Sequence, residues 1–179
     1  MLQKDNRYRI LRIFFEDPSP KGIGFQLREV SRKVAIATPS VKKYLTELEK
    51  EGLIVNVKHR IHGYPVYYAN RDNDNFKFLK RLDTLMKIKE SGLLEYLSES
   101  CMPDVIILFG SSASGEDLKD SDIDLFVASK DEKLSLDKFE KYLNRKINIL
   151  FSDRFSRMSK ELKNNIINGI ILKGYLKVF

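Results

Sequence analysis

The segment Leu108-Phe109-Gly110-Ser111-Ser112, followed shortly by Asp122-Ile123-Asp124-Leu125, constrains this chain more than any other stretch. Val105–Phe109 is an apolar run of strand length that ends on a Gly-Ser turn. The run 121–127 predicts a second strand whose alternation puts Asp122 and Asp124 on one face. Ile123 and Leu125 then point to the opposite, buried face. Two carboxylates this close repel each other unless a cation lies between them, which makes them candidate Mg²⁺ ligands. A glycine turn with exposed backbone N–H groups and a small hydroxyl can hold a phosphate against that metal. Together these parts point to metal-assisted attack on a nucleotide phosphate. The alternative is a plain strand–loop–strand with surface acids and a serine-rich turn.

An apolar residue, Gly-Ser, a spacer and Asp-x-Asp form a pattern in which residues 101–179 resemble the nucleotidyltransferase superfamily, which has a polymerase-beta-like fold. Within it the small prokaryotic minimal nucleotidyltransferases are most similar, and Gly169-Ile170-Ile171-Leu172-Lys173-Gly174 is similar to the end of such domains. The resemblance implies that Asp122 and Asp124 hold Mg²⁺ and that Gly110, Ser111 and Ser112 hold the nucleotide. It implies an NTP donor, ATP before the others, with a nucleoside monophosphate passing to an acceptor hydroxyl. The family places a third carboxylate on a later strand. The matching strand here is Ile147–Phe151, and Asn148 stands at that catalytic position. An amide ligates a metal through its oxygen but neither adds negative charge nor accepts a proton as a base. Asp153 is the nearest other acid, past the strand end. The loop Gly110-Ser111-Ser112-Ala113-Ser114-Gly115 carries serines where the family often has arginines. Minimal nucleotidyltransferases are often antitoxins, so the resemblance also implies a helical, toxin-like protein partner.

Charge is spread unevenly over the 179 residues, whose net charge is +7. Residues 1–72 hold 14 Lys and Arg against 8 Asp and Glu, whereas residues 101–179 hold 13 against 12. The surplus in the first segment favours a polyanion such as double-stranded DNA. Apolar residues make up 42% of the chain, enough for folded cores, and the length suits two small units. A single cysteine, Cys101, excludes an internal disulfide framework and fits a reducing, cytoplasmic setting. Its expected state is a small buried apolar side chain rather than a nucleophile. His59 and His62 have no cysteine partners, so a zinc site is not expected. The polar N-terminus has no signal-peptide core and no apolar run reaches bilayer length, so no membrane association is expected.

Residues 6–16 predict a helix with Ile10, Leu11, Phe14 and Phe15 on its apolar stripe, and residues 25–34 predict a second. Thr38-Pro39 predicts a helix start, with Thr38 as N-cap, and Gly52 its stop. Leu53–Val57 and Tyr64–Ala69 are strand-like runs around a basic tip. Three helices and a hairpin resemble the winged-helix family of DNA-binding domains over residues 5–70. That resemblance places Ser40, Lys42, Lys43 and Thr46 in a major groove and Lys58, His59 and Arg60 on the wing, which touches the flanking backbone or minor groove. A winged helix used only for protein contact is the alternative.

Residues 73–100 link the two units and are helical in pattern, suiting a helix packed on its own domain or a homodimer contact, with an interruption at Gly92. Leu136–Leu143 and Met158–Ile167 predict helices, and Ile170–Phe179 a last strand or apolar tail. The expected fold class is α+β: an N-terminal winged helix-turn-helix over 1–72, a linking helix over 73–100, and a small α/β nucleotidyltransferase-like domain with a mixed sheet over 101–179. Two functions stand side by side. One is a Mg²⁺-dependent nucleotidyltransferase that also binds DNA. The other is a transcriptional regulator or antitoxin-like protein whose degenerate domain binds nucleotide or a partner without turnover.

Overall fold

The computed structural model describes residues 5–18 and 24–178, and the chain divides into two compact units, 1–80 and 81–179. Phe179, at the end of the expected strand or apolar tail, lies outside the described residues.

The first unit holds α1 (Asn6–Glu16), β1 (Phe25–Gln26), α2 (Leu27–Val34), α3 (Thr38–Lys50), β2 (Ile54–Lys58) and β3 (Pro65–Ala69). Asp5 caps α1, its side chain accepting from the Tyr8 N–H at 2.8 Å. The stripe predicted for α1 is buried: Ile10 and Phe14 meet Val30, Val41, Leu45, Leu48 and Ile54 in one core. Phe14 and Phe25 cross edge-to-face at 5.5 Å. Phe25 and Gln26 correct the expected second helix. They pair with Tyr67 and Val66 as a short strand, and the helix starts only at Leu27, because β3 satisfies their backbone groups instead. Ala37, not Thr38, caps α3; Thr38 is already helical and its hydroxyl donates to Ser31 Oγ at 3.3 Å. The three strands form an antiparallel sheet in the order β1-β3-β2.

The second unit holds most of α4 (Asp74–Glu90), then α5 (Leu93–Cys101), β4 (Val105–Phe109), α6 (Gly110–Ser114), β5 (Ile123–Val127), α7 (Asp137–Leu143), β6 (Ile147–Phe151), α8 (Lys160–Ile167) and β7 (Ile170–Gly174). Gly92, at φ +75°, separates α4 from α5 at the predicted interruption. Apolar residues of this stretch pack in local cores. Phe76 and Leu79 pack in the first unit, and Ile88, Leu93 and Leu97 pack in the second.

The sheet runs β6-β5-β4-β7, antiparallel at β4–β5 and β4–β7 and parallel at β5–β6. A parallel pair needs a crossover, and α7 lies within it. Period-two alternation sends Ile106, Leu108, Ile123, Leu125, Val127 and Ile147 to one face, against α5 and α7 residues Leu93, Leu97, Phe139 and Leu143. Val105, Ile107 and Phe126 take the other face with Ile166 of α8. Both faces are therefore covered, and the polar alternates of β5 emerge at the end of the sheet where β4 stops. Among the described residues no helix is long and apolar enough to cross a membrane.

Candidate functional site

Three strands bring the signature together. Antiparallel pairing sets Phe109 at the end of β4 opposite Asp124, and parallel pairing sets Asp124 opposite Asn148. Asp122 lies just before β5 and is half-buried, as is Asp124. The Asn148 amide nitrogen donates to Asp122 Oδ2 at 2.9 Å and to Asp124 Oδ1 at 3.2 Å. Both acids thus converge on one point, as the alternation predicted, and the amide occupies it. Asp153 lies beyond β6 and is exposed.

Gly110 begins α6 at φ +71°, and a Cβ there would fall 2.8 Å from Asp124 Oδ2. Only glycine permits both that dihedral and that approach of backbone to carboxylate. The turn expected after β4 is in fact this short helix, closed by Gly115. Ser111 is half-buried. Ser112 is fully buried, and its hydroxyl donates to the Asp122 carbonyl at 3.2 Å. Its side chain braces the loop against the start of β5.

Arg145 was not singled out from the sequence, yet it reaches more of this site than any predicted residue. Asn144, at φ +53°, ends α7 in the left-handed region and turns the chain into β6. From there the Arg145 guanidinium donates to the Ser121 carbonyl at 2.6 Å and the Asp122 carbonyl at 2.8 Å. It also donates to Ser112 Oγ at 2.9 Å and pairs with the buried Asp117 at 2.8 Å. Its partners are distant in sequence, so no local spacing marks it.

Beside Asp122 an open cleft is lined by Lys119, Ser121, Glu140, Lys141 and Lys146, among others. Lys146 bonds Glu140 at 2.6 Å, and Glu140 also accepts from the Ile147 N–H at 3.1 Å. The hydrogen bond from Lys146 holds the Glu140 carboxyl below its ordinary range, with the Ile147 N–H second. The same bond raises Lys146, helped by the nearby charges of Glu140, Asp137 and Asp122. Burial pushes the Cys101 thiol up, which suits a packed side chain rather than a nucleophile.

Two carboxylate oxygens directed at one point fit a hard divalent cation, since Mg²⁺ is commonly held by one or two carboxylates with substrate phosphates completing its shell. Among the described residues no group of three or more His, Cys, Asp or Glu forms a self-contained metal cage.

In the first unit Ser40, Lys42, Lys43 and Thr46 are all exposed along α3, the Thr46 hydroxyl donating to the Lys42 carbonyl at 3.0 Å. Lys58 and Arg60 are exposed at the hairpin tip. There His59 stacks on Tyr64 at 4.6 Å and on His62 at 5.2 Å. His59 Nδ1 accepts from the Ile61 and His62 N–H groups, which fixes the tip. The histidines therefore build the turn.

Residues 85–173 match the family model of the nucleotidyltransferase domain. This segment is a nucleotidyltransferase domain. Its matched span starts within α4 and takes in α5, inside the stretch 73–100 read from sequence as a linking helix. Gly110, Ser111, Asp122, Asp124 and Asn148 all lie within the nucleotidyltransferase domain, at one end of its sheet. No curated protein and no solved structure matches the chain.

Proposed function

We propose that the chain is a DNA-binding nucleotidyltransferase that moves a nucleoside monophosphate from an NTP, ATP before the others, to an acceptor hydroxyl. The observation that carries this reading is the convergence of Asp122 and Asp124 on one point beside the Gly110-Ser111 backbone, within a nucleotidyltransferase domain. Asp122 and Asp124 would hold Mg²⁺, with the Asn148 amide turning to offer its oxygen or moving aside. When bound, the metal neutralises charge on the phosphates and on the leaving pyrophosphate. The Gly110-Ser111 backbone seats the phosphates. The acceptor oxygen bonds to the α-phosphorus, the bond to pyrophosphate breaks, and the hydroxyl proton leaves to solvent because Asn148 cannot take it. General-base help is typically worth about 10²–10⁴ in rate, so turnover is slow or depends on a partner protein that supplies the group.

Residues 1–72 serve in this proposal as a winged helix on double-stranded DNA, α3 in the groove and the β2–β3 tip on the backbone. The exposed Ser40, Lys42, Lys43 and Thr46 on α3 and the exposed Lys58 and Arg60 at the tip support it. The Asn148 amide between the acids favours a second reading, a regulator that binds nucleotide without turnover.

Calorimetry with ATP and Mg²⁺ tests the site. Asp122→Asn with Asp124→Asn should abolish Mg²⁺-dependent binding while the fold persists, because neither side chain is a core residue. Equal affinity in wild type and double variant would overturn the assignment. Transfer of labelled AMP then separates the enzyme from the silent binder.

A further inference from the structure

We propose that Arg145 is the positioning residue of the nucleotidyltransferase site, tying the Gly-Ser loop to the Asp-x-Asp strand from beneath. The proposal rests on the nucleotidyltransferase reading for its purpose but on geometry for its substance. The two halves of the signature come from different elements, α6 and β5, joined by an irregular loop. Nothing in the strand ladder fixes Asp122, which precedes the first paired residue of β5, Ile123. Arg145 fixes its backbone, while Asn148 meets its side chain. Its Nη2 bonds the Asp122 carbonyl and Ser112 Oγ, its Nε bonds the Ser121 carbonyl, and Nη1 pairs with Asp117.

The side chain is largely buried, 14% exposed, and Asp117 is 4% exposed, so water competes little for these bonds. A planar guanidinium carries five donors in a fixed fork, which suits four acceptors spread over three backbone segments. A lysine ammonium, a point charge with three donors, cannot span them. The Ser112 hydroxyl closes the tie by donating to the same Asp122 carbonyl. Asp122 and the loop that seats phosphate are thereby held at one separation before any ligand arrives, and preorganisation of this kind lowers the cost of binding.

Hydrogen exchange across the full chain, with Mg²⁺-ATP calorimetry, tests this on Arg145→Lys and on Arg145→Met combined with Asp117→Asn. The second change removes the buried carboxylate that Arg145→Met alone would leave without this ion pair. Both variants should exchange faster over residues 110–122 only, keep strands 105–109 and 147–151 protected, and bind Mg²⁺-ATP at least about tenfold more weakly. Wild-type exchange over 110–122, or wild-type affinity with that segment loosened, would overturn the proposal. Loss of protection throughout the domain would also overturn it, making Arg145 a general brace of the fold. Local loosening in the variants while the wild type itself binds no Mg²⁺-ATP would uphold the positioning role and remove the nucleotide reading instead.

Discussion

At Asn148 one amide nitrogen donates to both Asp122 and Asp124, so two acids share a neutral bridge at the place proposed for Mg²⁺. Ionised carboxylates only accept hydrogen bonds, so the group facing them has to be the NH₂ end of the amide. Asn148→Asp replaces that bridge with a third negative charge. At about 4 Å in a water-like medium each like-charge contact costs roughly 1 kcal/mol, and the site is open enough for that value to apply. Asn148→Asp should therefore melt lower than wild type in EDTA, recover on adding Mg²⁺, and bind Mg²⁺ more tightly. It should also transfer AMP faster if a base at this position is what the wild type lacks. Identical Mg²⁺ response in thermal melts of the two proteins would show that position 148 does not face the cation. Asn148 was legible from sequence only through the resemblance, which puts a carboxylate at that point of the strand 147–151. The inward turn of Ser112 was not, since burial of a small hydroxyl depends on what packs above it.

At the scale of elements, α7 and β6 are stitched by Glu140, which accepts from Lys146 and from the Ile147 N–H at the start of the strand that carries Asn148. The depressed Glu140 carboxyl contributes stability above the ordinary carboxylate range, and that contribution is lost as pH falls through its lowered value. The raised Lys146 ammonium contributes below the ordinary lysine range, and its share is lost as pH rises through its elevated value. Between these limits the pair is intact. Glu140→Gln should leave the neutral-pH urea midpoint slightly lower and flatten its decline in acid. Parallel acid limbs for wild type and variant would exclude this stitch as a source of the pH dependence. Most elements were readable as periodicity: residues 6–16, 105–109 and 147–151 form where their apolar spacing predicted. Phe25 and Gln26 were not, because two residues hold too little pattern and their strand exists only through β3.

For the whole molecule, the basic surplus of residues 1–72 is spread over a small folded unit whose exposed α3 face and hairpin tip carry several of the cations. Lys42→Ala, Lys43→Ala and Arg60→Ala together should weaken binding to every duplex sequence. The salt dependence should flatten by about one unit of slope for each phosphate that the triple variant no longer neutralises. Gel shifts across a salt series measure this, and absence of wild-type binding at low salt would end the DNA reading. The sequence by itself determined most of the helices and strands, the shared face of Asp122 and Asp124, and the glycine that follows β4. Each of these follows from local spacing, where period and sterics act over a few residues. Only the tertiary structure decided that β5 lies between β4 and β6, so that Phe109, Asp124 and Asn148 meet across three strands. It alone also brought Arg145 under Ser112, Asp117 and Asp122, because that arrangement depends on how α7 returns the chain to the sheet. Such a bond joins residues far apart in sequence, and its energy exists only once the core has closed around it.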